Sequence, residues 1–253
     1  MFEISPLLIV MLVGTGVVAG VINTLAGGGS NLTVPALMIL GLPADIANAT
    51  NRVGVFLQCL VGTRGFDKRG KLERADVWPI LIPTLIGSAI GAVAASFMPT
   101  TYLKPVLLFA MIAMALIILV RPETIATMEG EASLKMKGNH RAWGTLFIAG
   151  LYGGFVQAGV GFILIAALAG SLRYDLVRAN ALKMLCTGVL TSVALGIFIW
   201  RGQVMWIPGL ILAAGTMAGA QLGVKFAIKA SQRTLKWFLF IMTVLASAAA
   251  MWL

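Results

Sequence analysis

Long apolar runs, broken by short polar punctuation, dominate this chain, and they are too continuous for strands or for surface helices with one wet face. They predict helices over 7–25, 30–41, 45–63, 77–97 and 103–120, then over 143–157, 162–171, 176–200, 205–227 and 234–253. A crossing needs roughly 20 apolar residues, and most of these runs supply it. The 30–41 and 162–171 pieces do not. Twelve residues of helix rise only about 18 Å against a hydrocarbon core near 30 Å. They are expected as half-crossing or re-entrant helices, held where protein satisfies the broken backbone. The fold class is an all-α polytopic membrane protein of about eight to ten helical segments.

The chain repeats. A gapless shift of 132 residues brings Gly27 onto Gly159 and Gly29 onto Gly161. The same shift brings Ala47-Asn48-Ala49 onto Ala179-Asn180-Ala181, Arg69-Gly70 onto Arg201-Gly202, and Leu103-Lys104 onto Leu235-Lys236. Residues 1–120 form a first transmembrane repeat, 121–142 a cytoplasmic linker and 143–253 a second repeat. Charge orients them. The 64–75 loop is rich in Lys and Arg, whereas its partner at 201–204 has only Arg201. The next loop reverses this, with Lys104 alone in 98–104 but Lys225, Lys229, Arg233 and Lys236 in 225–236. Basic loops stay cytoplasmic, so corresponding loops are expected on opposite faces, the signature of an inverted-topology repeat. Both termini are then expected outside.

Composition narrows the class. The 253 residues are 59% hydrophobic and 11% charged, against about 25% charged in soluble domains. A soluble enzyme, a disordered chain and a coiled coil are excluded. The net charge of +10 reads as cytoplasmic Lys and Arg rather than a nucleic-acid surface. Cys59, Cys186 and His140 are too few and too scattered for a metal or haem centre, and no Ser-His-Asp set or phosphate loop is present. The expectation is no enzyme, no cofactor and no metal.

Broken helices in repeated membrane proteins mark transport sites. The breaks are Gly27-Gly28-Gly29-Ser30-Asn31 and Gly159-Val160-Gly161. Free N–H groups at a helix start attract anions, although glycines there also permit tight crossing or a turn. Asn48, Thr50, Asn51 and Arg52 lie one to two turns into the 45–63 helix, and Asn180 and Lys183 lie equally deep in its counterpart. A cation this deep is costly and should face a protein or watery interior. No acidic residue stands in either helix interior, so the two cations are expected to lack built-in partners and to suit a bound anion; snorkelling to the interface is the alternative. Asn23 and Gln157 complete the candidate site. Asp45 and Asp175 read as N-caps rather than proton carriers. GxxxG pairs at Gly16/Gly20, Gly87/Gly91, Gly150/Gly154 and Gly215/Gly219/Gly223 read as packing surfaces.

The motifs Ala26-Gly27-Gly28-Gly29-Ser30, Gly41-Leu42-Pro43 and Ala47-Asn48-Ala49-Thr50-Asn51-Arg52 resemble the TauE/SafE (TSUP) family of sulfite and organosulfonate exporters. Gly150-Leu151-Tyr152-Gly153-Gly154, Gly159-Val160-Gly161 and Ala179-Asn180-Ala181-Leu182-Lys183 carry the resemblance through the second half. It implies a multi-pass carrier of the bacterial inner membrane for small, often sulfur-containing anions. The expected function is a secondary transporter of sulfite, a sulfonate or a related organic anion working by alternating access. The alternatives are an anion channel and a carrier of a non-sulfur carboxylate or metabolite. A small anion and the lipid bilayer are the expected partners, with a homodimer left open and nucleic acid excluded.

Overall fold

The computed structural model describes residues 6–74, 76–120, 133–134, 136, 138–231, 233–235 and 237. Among the described residues nine α-helices are delimited: α1 (Pro6–Leu25), α2 (Ser30–Ile39), α3 (Ala44–Asp67), α4 (Val77–Phe97), α5 (Thr100–Val120), α6 (His140–Phe155), α7 (Val160–Ile165), α8 (Leu176–Trp200) and α9 (Trp206–Lys229). Among the described residues there is no strand. Helix α7 runs on through a π-helical turn, Ala166–Ser171, so the 162–171 piece begins two residues earlier than expected. Most of the 121–142 linker and of the expected 234–253 helix lies outside the described residues.

Helices α1, α4, α8 and α9 are each long and apolar enough to cross a membrane, and α2 and the α7 segment are shorter apolar pieces. The protein is an all-α polytopic membrane protein. Its apolar side chains point outward as well as inward: Leu7, Val10, Ile39, Trp78, Phe109 and Trp200 are all exposed. In water such a surface would aggregate; in hydrocarbon it is the solvated surface.

Glycine sets the tightest contacts. Helix α1 runs parallel to α9, and α6 runs parallel to α4, each pair meeting backbone to backbone. A Cβ on Gly16 would fall 2.8 Å from the Leu212 carbonyl oxygen and 3.1 Å from Gly215 Cα, and one on Gly20 would fall 3.0 Å from Gly219 Cα. On the other side, a Cβ on Gly150 or Gly154 would fall 2.8 Å from the Cα of Thr84 or Ser88. The GxxxG pairs are therefore packing surfaces, and the partner of each is not the neighbouring helix in sequence. Lipid offers no hydrophobic drive between helices, so close backbone approach supplies dispersion contacts instead.

Helices α3 and α8 occupy the centre and run antiparallel, with Gly62 against Met184, Cys59 against Gly188, and Arg52 over Phe198. Helix α3 is tied to α9 by Thr216 Oγ1 donating to the Gly54 carbonyl at 3.0 Å and by Met205 N–H donating to Thr50 Oγ1 at 3.0 Å. Helix α8 is tied to α4 by Ser88 Oγ donating to the Leu190 carbonyl at 2.8 Å.

The two ends differ in charge. At one end Arg178 pairs with Glu73 at 3.5 Å, and the Tyr174 hydroxyl donates to Asp76 at 3.0 Å. Burial, then that carboxylate, raises the Tyr174 pKa above the usual tyrosine value. Gly65 packs on Val224 at the same end, which gathers the basic residues of the 64–74 loop with Arg173, Arg178, Lys225 and Lys229. At the other end Arg201 lies over Phe97 at 4.2 Å, and Phe97 meets Trp200 edge-on. The N-cap reading holds for Asp175, whose Oδ1 accepts from Val177 N–H and Arg178 N–H at 3.0 Å each. It is corrected for Asp45: Pro43 is the N-cap residue of α3, and Asp45 lies inside the first turn.

The packing makes a stability prediction. Gly154→Ala should lower the unfolding midpoint in detergent, because overpacking against backbone costs about 1–3 kcal/mol. Gly196→Ala, whose new methyl meets nothing within 4 Å, should be neutral or stabilising by about 0.5–1 kcal/mol. Equal midpoints for the two variants would refute the assigned α4–α6 contact.

Candidate functional site

The two glycine breaks meet. A Cβ on Gly161 would lie 2.8 Å from the Gly27 carbonyl oxygen, so each backbone occupies the space a side chain would need on the other. Gly27 and Gly159 also adopt left-handed φ values of +92° and +80°, a region glycine enters without strain. Gly28 sits under the Phe162 ring, and Gly29 is the N-cap of α2, against Asn23 Cβ at 2.7 Å from a would-be Cβ. Ending α1 and α6 here leaves their last carbonyls without helical partners in the interior of the bundle.

Two cations answer those carbonyls, each crossing from the far half of the sequence. Arg52, on α3 and fully buried, donates through Nη1 to the Gly153 carbonyl at 3.0 Å and to Gln157 Oε1 at 2.8 Å. Its Nη2 donates to the carbonyls of Gly154 at 2.6 Å and Phe155 at 3.4 Å, and its guanidinium lies 4.9 Å from the Phe198 ring centre. Asn48, one turn earlier, donates from Nδ2 to the Phe155 carbonyl at 2.9 Å. Lys183, on α8 and equally buried, donates to the carbonyls of Asn23 at 2.7 Å and Thr24 at 2.9 Å, and to Asn180 Oδ1 at 2.7 Å. Arg52 thus caps the C-terminus of α6, and Lys183 caps that of α1.

This corrects the expectation that the two cations lack built-in partners. Their partners are carbonyl dipoles at helix ends, where a cation is favoured by the macrodipole, and a sequence scan for nearby acids has no view of them. The snorkelling alternative fails as well, since neither head reaches the surface. Carbonyls satisfy hydrogen bonds without cancelling a unit charge, and neither cation forms an ion pair among the described residues.

The remaining candidates divide. Asn51 accepts from Thr33 Oγ1 at 2.5 Å and donates to Ser30 Oγ at 3.1 Å, which ties the start of α2 to α3. Gln157, with φ +67°, accepts from both Arg52 and Thr191. Asn31 Oδ1, Asn48 Oδ1, Asn180 Nδ2 and Arg52 Nε are buried with no hydrogen-bond partner among the described residues. Thr50 turns away from the breaks and serves the start of α9. The sequence reading missed the Gly153 and Gly154 carbonyls, Thr191 and Phe198. The one available signal was Gly153-Gly154 ahead of the break, which resembles packing glycine elsewhere in the chain. Among the described residues no cluster of His, Cys, Asp or Glu is arranged to hold a metal.

Comparison with known proteins gives this arrangement a family. The model for the sulfite exporter TauE/SafE family matches residues 12–250. A protein named "Probable membrane transporter protein" from Haemophilus influenzae is 30% identical over 245 residues, covering 95% of this chain and 93% of its own length. "Probable membrane transporter protein YfcA" from Escherichia coli K12 is 27% identical, covering 98% and 91%. "Probable membrane transporter protein ORF9" from a Sinorhizobium species is 25% identical, covering 90% and 86%. The match spans both glycine breaks and both capping cations, and the chain belongs to the TauE/SafE family of membrane transporters.

Proposed function

We propose that the protein carries small anions, of the sulfite or sulfonate class, across the bacterial inner membrane by alternating access. The observation that carries this reading is the pair of fully buried cations, Arg52 and Lys183, whose neighbours are dipoles rather than carboxylates. Two positive charges held in a low-dielectric interior leave a field that a mobile anion can lower. The start of α2, with the Ser30–Asn51–Thr33 hydrogen-bond chain, adds backbone and side-chain donors of the kind oxyanions require. Among the buried polar atoms without a protein partner among the described residues, Asn180 Nδ2 is a donor available to the same cargo, whereas Asn31 Oδ1 and Asn48 Oδ1 are acceptors that suit its accompanying water. The basic end faces the cytoplasm by the positive-inside rule, and the antiparallel course of α3 and α8 supports the inverted-repeat reading.

The moving bodies in this proposal are not the two sequence repeats. Backbone contacts lock α1 to α9 and α4 to α6, and hydrogen bonds add α3 to the first pair and α8 to the second. One body is α1, α3 and α9, the other α4, α6 and α8, and they meet along the α3–α8 seam and at the Gly27–Gly161 contact of the two breaks. Arg52 reaches from the first body to the second and Lys183 from the second to the first. Rocking along the seam changes both bridges together, which couples cargo binding to closure.

Charge and capping separate in one substitution. Lys183→Gln keeps a donor for the α1 carbonyls and removes the charge. It should fold, yet bind anion roughly ten- to a hundredfold more weakly, the equivalent of about 1.5–3 kcal/mol for a charge-assisted contact. Lys183→Ala should lose stability as well, because buried carbonyls are left unanswered. Anion flux in proteoliposomes, with the unfolding midpoint measured alongside, reads both. Wild-type affinity in a folded Lys183→Gln protein would remove the charge from the mechanism.

The seam has its own test. A Cβ on Gly188 would stand 3.1 Å from Cys59 Cβ, close to the ~3.5–4.5 Å of a disulfide. Gly188→Cys in a Cys186→Ser background should cross-link to Cys59 on oxidation, stop flux, and recover on reduction. Joining Val53→Cys to Gly209→Cys, with both native cysteines replaced, ties α3 to α9 inside one body and should leave flux intact. The opposite pattern would show that the bodies are divided elsewhere.

A further inference from the structure

A groove of about 500 Å³ runs along the α3–α8 seam. It does not open on the glycine breaks. Leu185 and Val189, which line it, stand two residues, about 200° around α8, from Lys183 and Thr187. Its walls are apolar, with Phe56 and Leu60 facing Leu185 and Val189, and Leu60 is 51% exposed. Ser192, at the inner end, is exposed, yet its hydroxyl donates back to the Val189 carbonyl at 2.7 Å. A hydroxyl bathed in water has no need of that return; one facing hydrocarbon does.

The groove's length and charge identify what fits it. From Phe56 to Asp67 the α3 wall spans twelve residues, about 16 Å of rise, which is one leaflet of a core about 30 Å thick. Its outer end lies at the basic end of the molecule, with Arg64 exposed at the mouth. Asp67 also lines the mouth, but its carboxylate is held by Arg74 Nη2 at 2.9 Å to each oxygen. The mouth therefore offers an uncompensated guanidinium at headgroup depth, above an apolar trough as long as an acyl chain of that leaflet. We propose that the groove holds an anionic phospholipid, with one acyl chain along the α3–α8 seam and its phosphate on Arg64. A lipid seated there braces the line along which the two bodies meet.

Native mass spectrometry of the detergent-purified full chain tests this without any transport assay, so its result stands apart from the proposed function. Phosphatidylglycerol and phosphatidylcholine of matched chains are the probes. The wild type should retain phosphatidylglycerol about five- to tenfold better. Arg64→Ala should erase that preference and leave phosphatidylcholine retention unchanged. Ser192→Phe, which fills the inner end, should lower retention of both lipids. Equal phosphatidylglycerol retention by wild type and Arg64→Ala would overturn the proposal. Displacement of the lipid by millimolar inorganic phosphate would overturn it too, since the site would then recognise phosphate without a chain. A dimer that Ser192→Phe converts to monomer, with lipid retention unchanged, would assign the groove to a second copy instead.

Discussion

The structure depends on how a helix can end inside a membrane. A helix that stops in hydrocarbon exposes carbonyls that neither lipid nor its own backbone can satisfy. Here α1 and α6 both stop in the interior, and a long cationic side chain answers each end: Lys183 on Asn23 and Thr24, and Arg52 on Gly153, Gly154 and Phe155, with Asn48 beside it on Phe155. The cation needs a negative environment as much as the carbonyls need donors, so each resolves the other's desolvation. Because the caps are exchanged between the two halves of the sequence, neither break is complete without the opposite half. This interlock places the two glycine turns backbone against backbone.

Arginine and lysine are not equivalent in this role. Arg52 spreads its donors over three carbonyls and Gln157 while its face lies near Phe198, which suits a planar, weakly hydrated cation. Lys183 concentrates its three donors on two carbonyls and Asn180. The two ends of the interlock therefore differ chemically, although the two cations stand within one residue of matching positions in the repeat.

Glycine has two separate uses in the chain. In α1, α4, α6 and α9 it brings helix backbones together in pairs that slide poorly, because any side chain would have to pass through backbone. At Gly27 and Gly159 it permits the left-handed turn that interrupts a helix. The α3–α8 seam between these pairs is made of side-chain contacts, with the Gly27–Gly161 backbone contact beside it; interfaces with two discrete packings can switch, whereas those locked backbone to backbone along their length cannot.

The sequence by itself determined the class and the parts. Apolar runs too long for a globule required a membrane, because too few polar side chains exist to cover them in water. The offset of 132 residues located the breaks, and the depth of Arg52 and Lys183 along their helices made them candidates for burial, because 1.5 Å per residue is a property of the helix alone; that they are buried rather than snorkelling was decided by the packing. The GxxxG spacings likewise announced packing faces. Only the tertiary structure decided the partners. Nothing in the order of residues says that Gly16 meets Gly215, or that Arg52 reaches Gly153, since those contacts join positions about a hundred or two hundred residues apart. The missing partners of the two cations were backbone carbonyls. Every residue has a carbonyl, so no residue type signals one; it becomes a ligand only when a helix ends beside the right side chain.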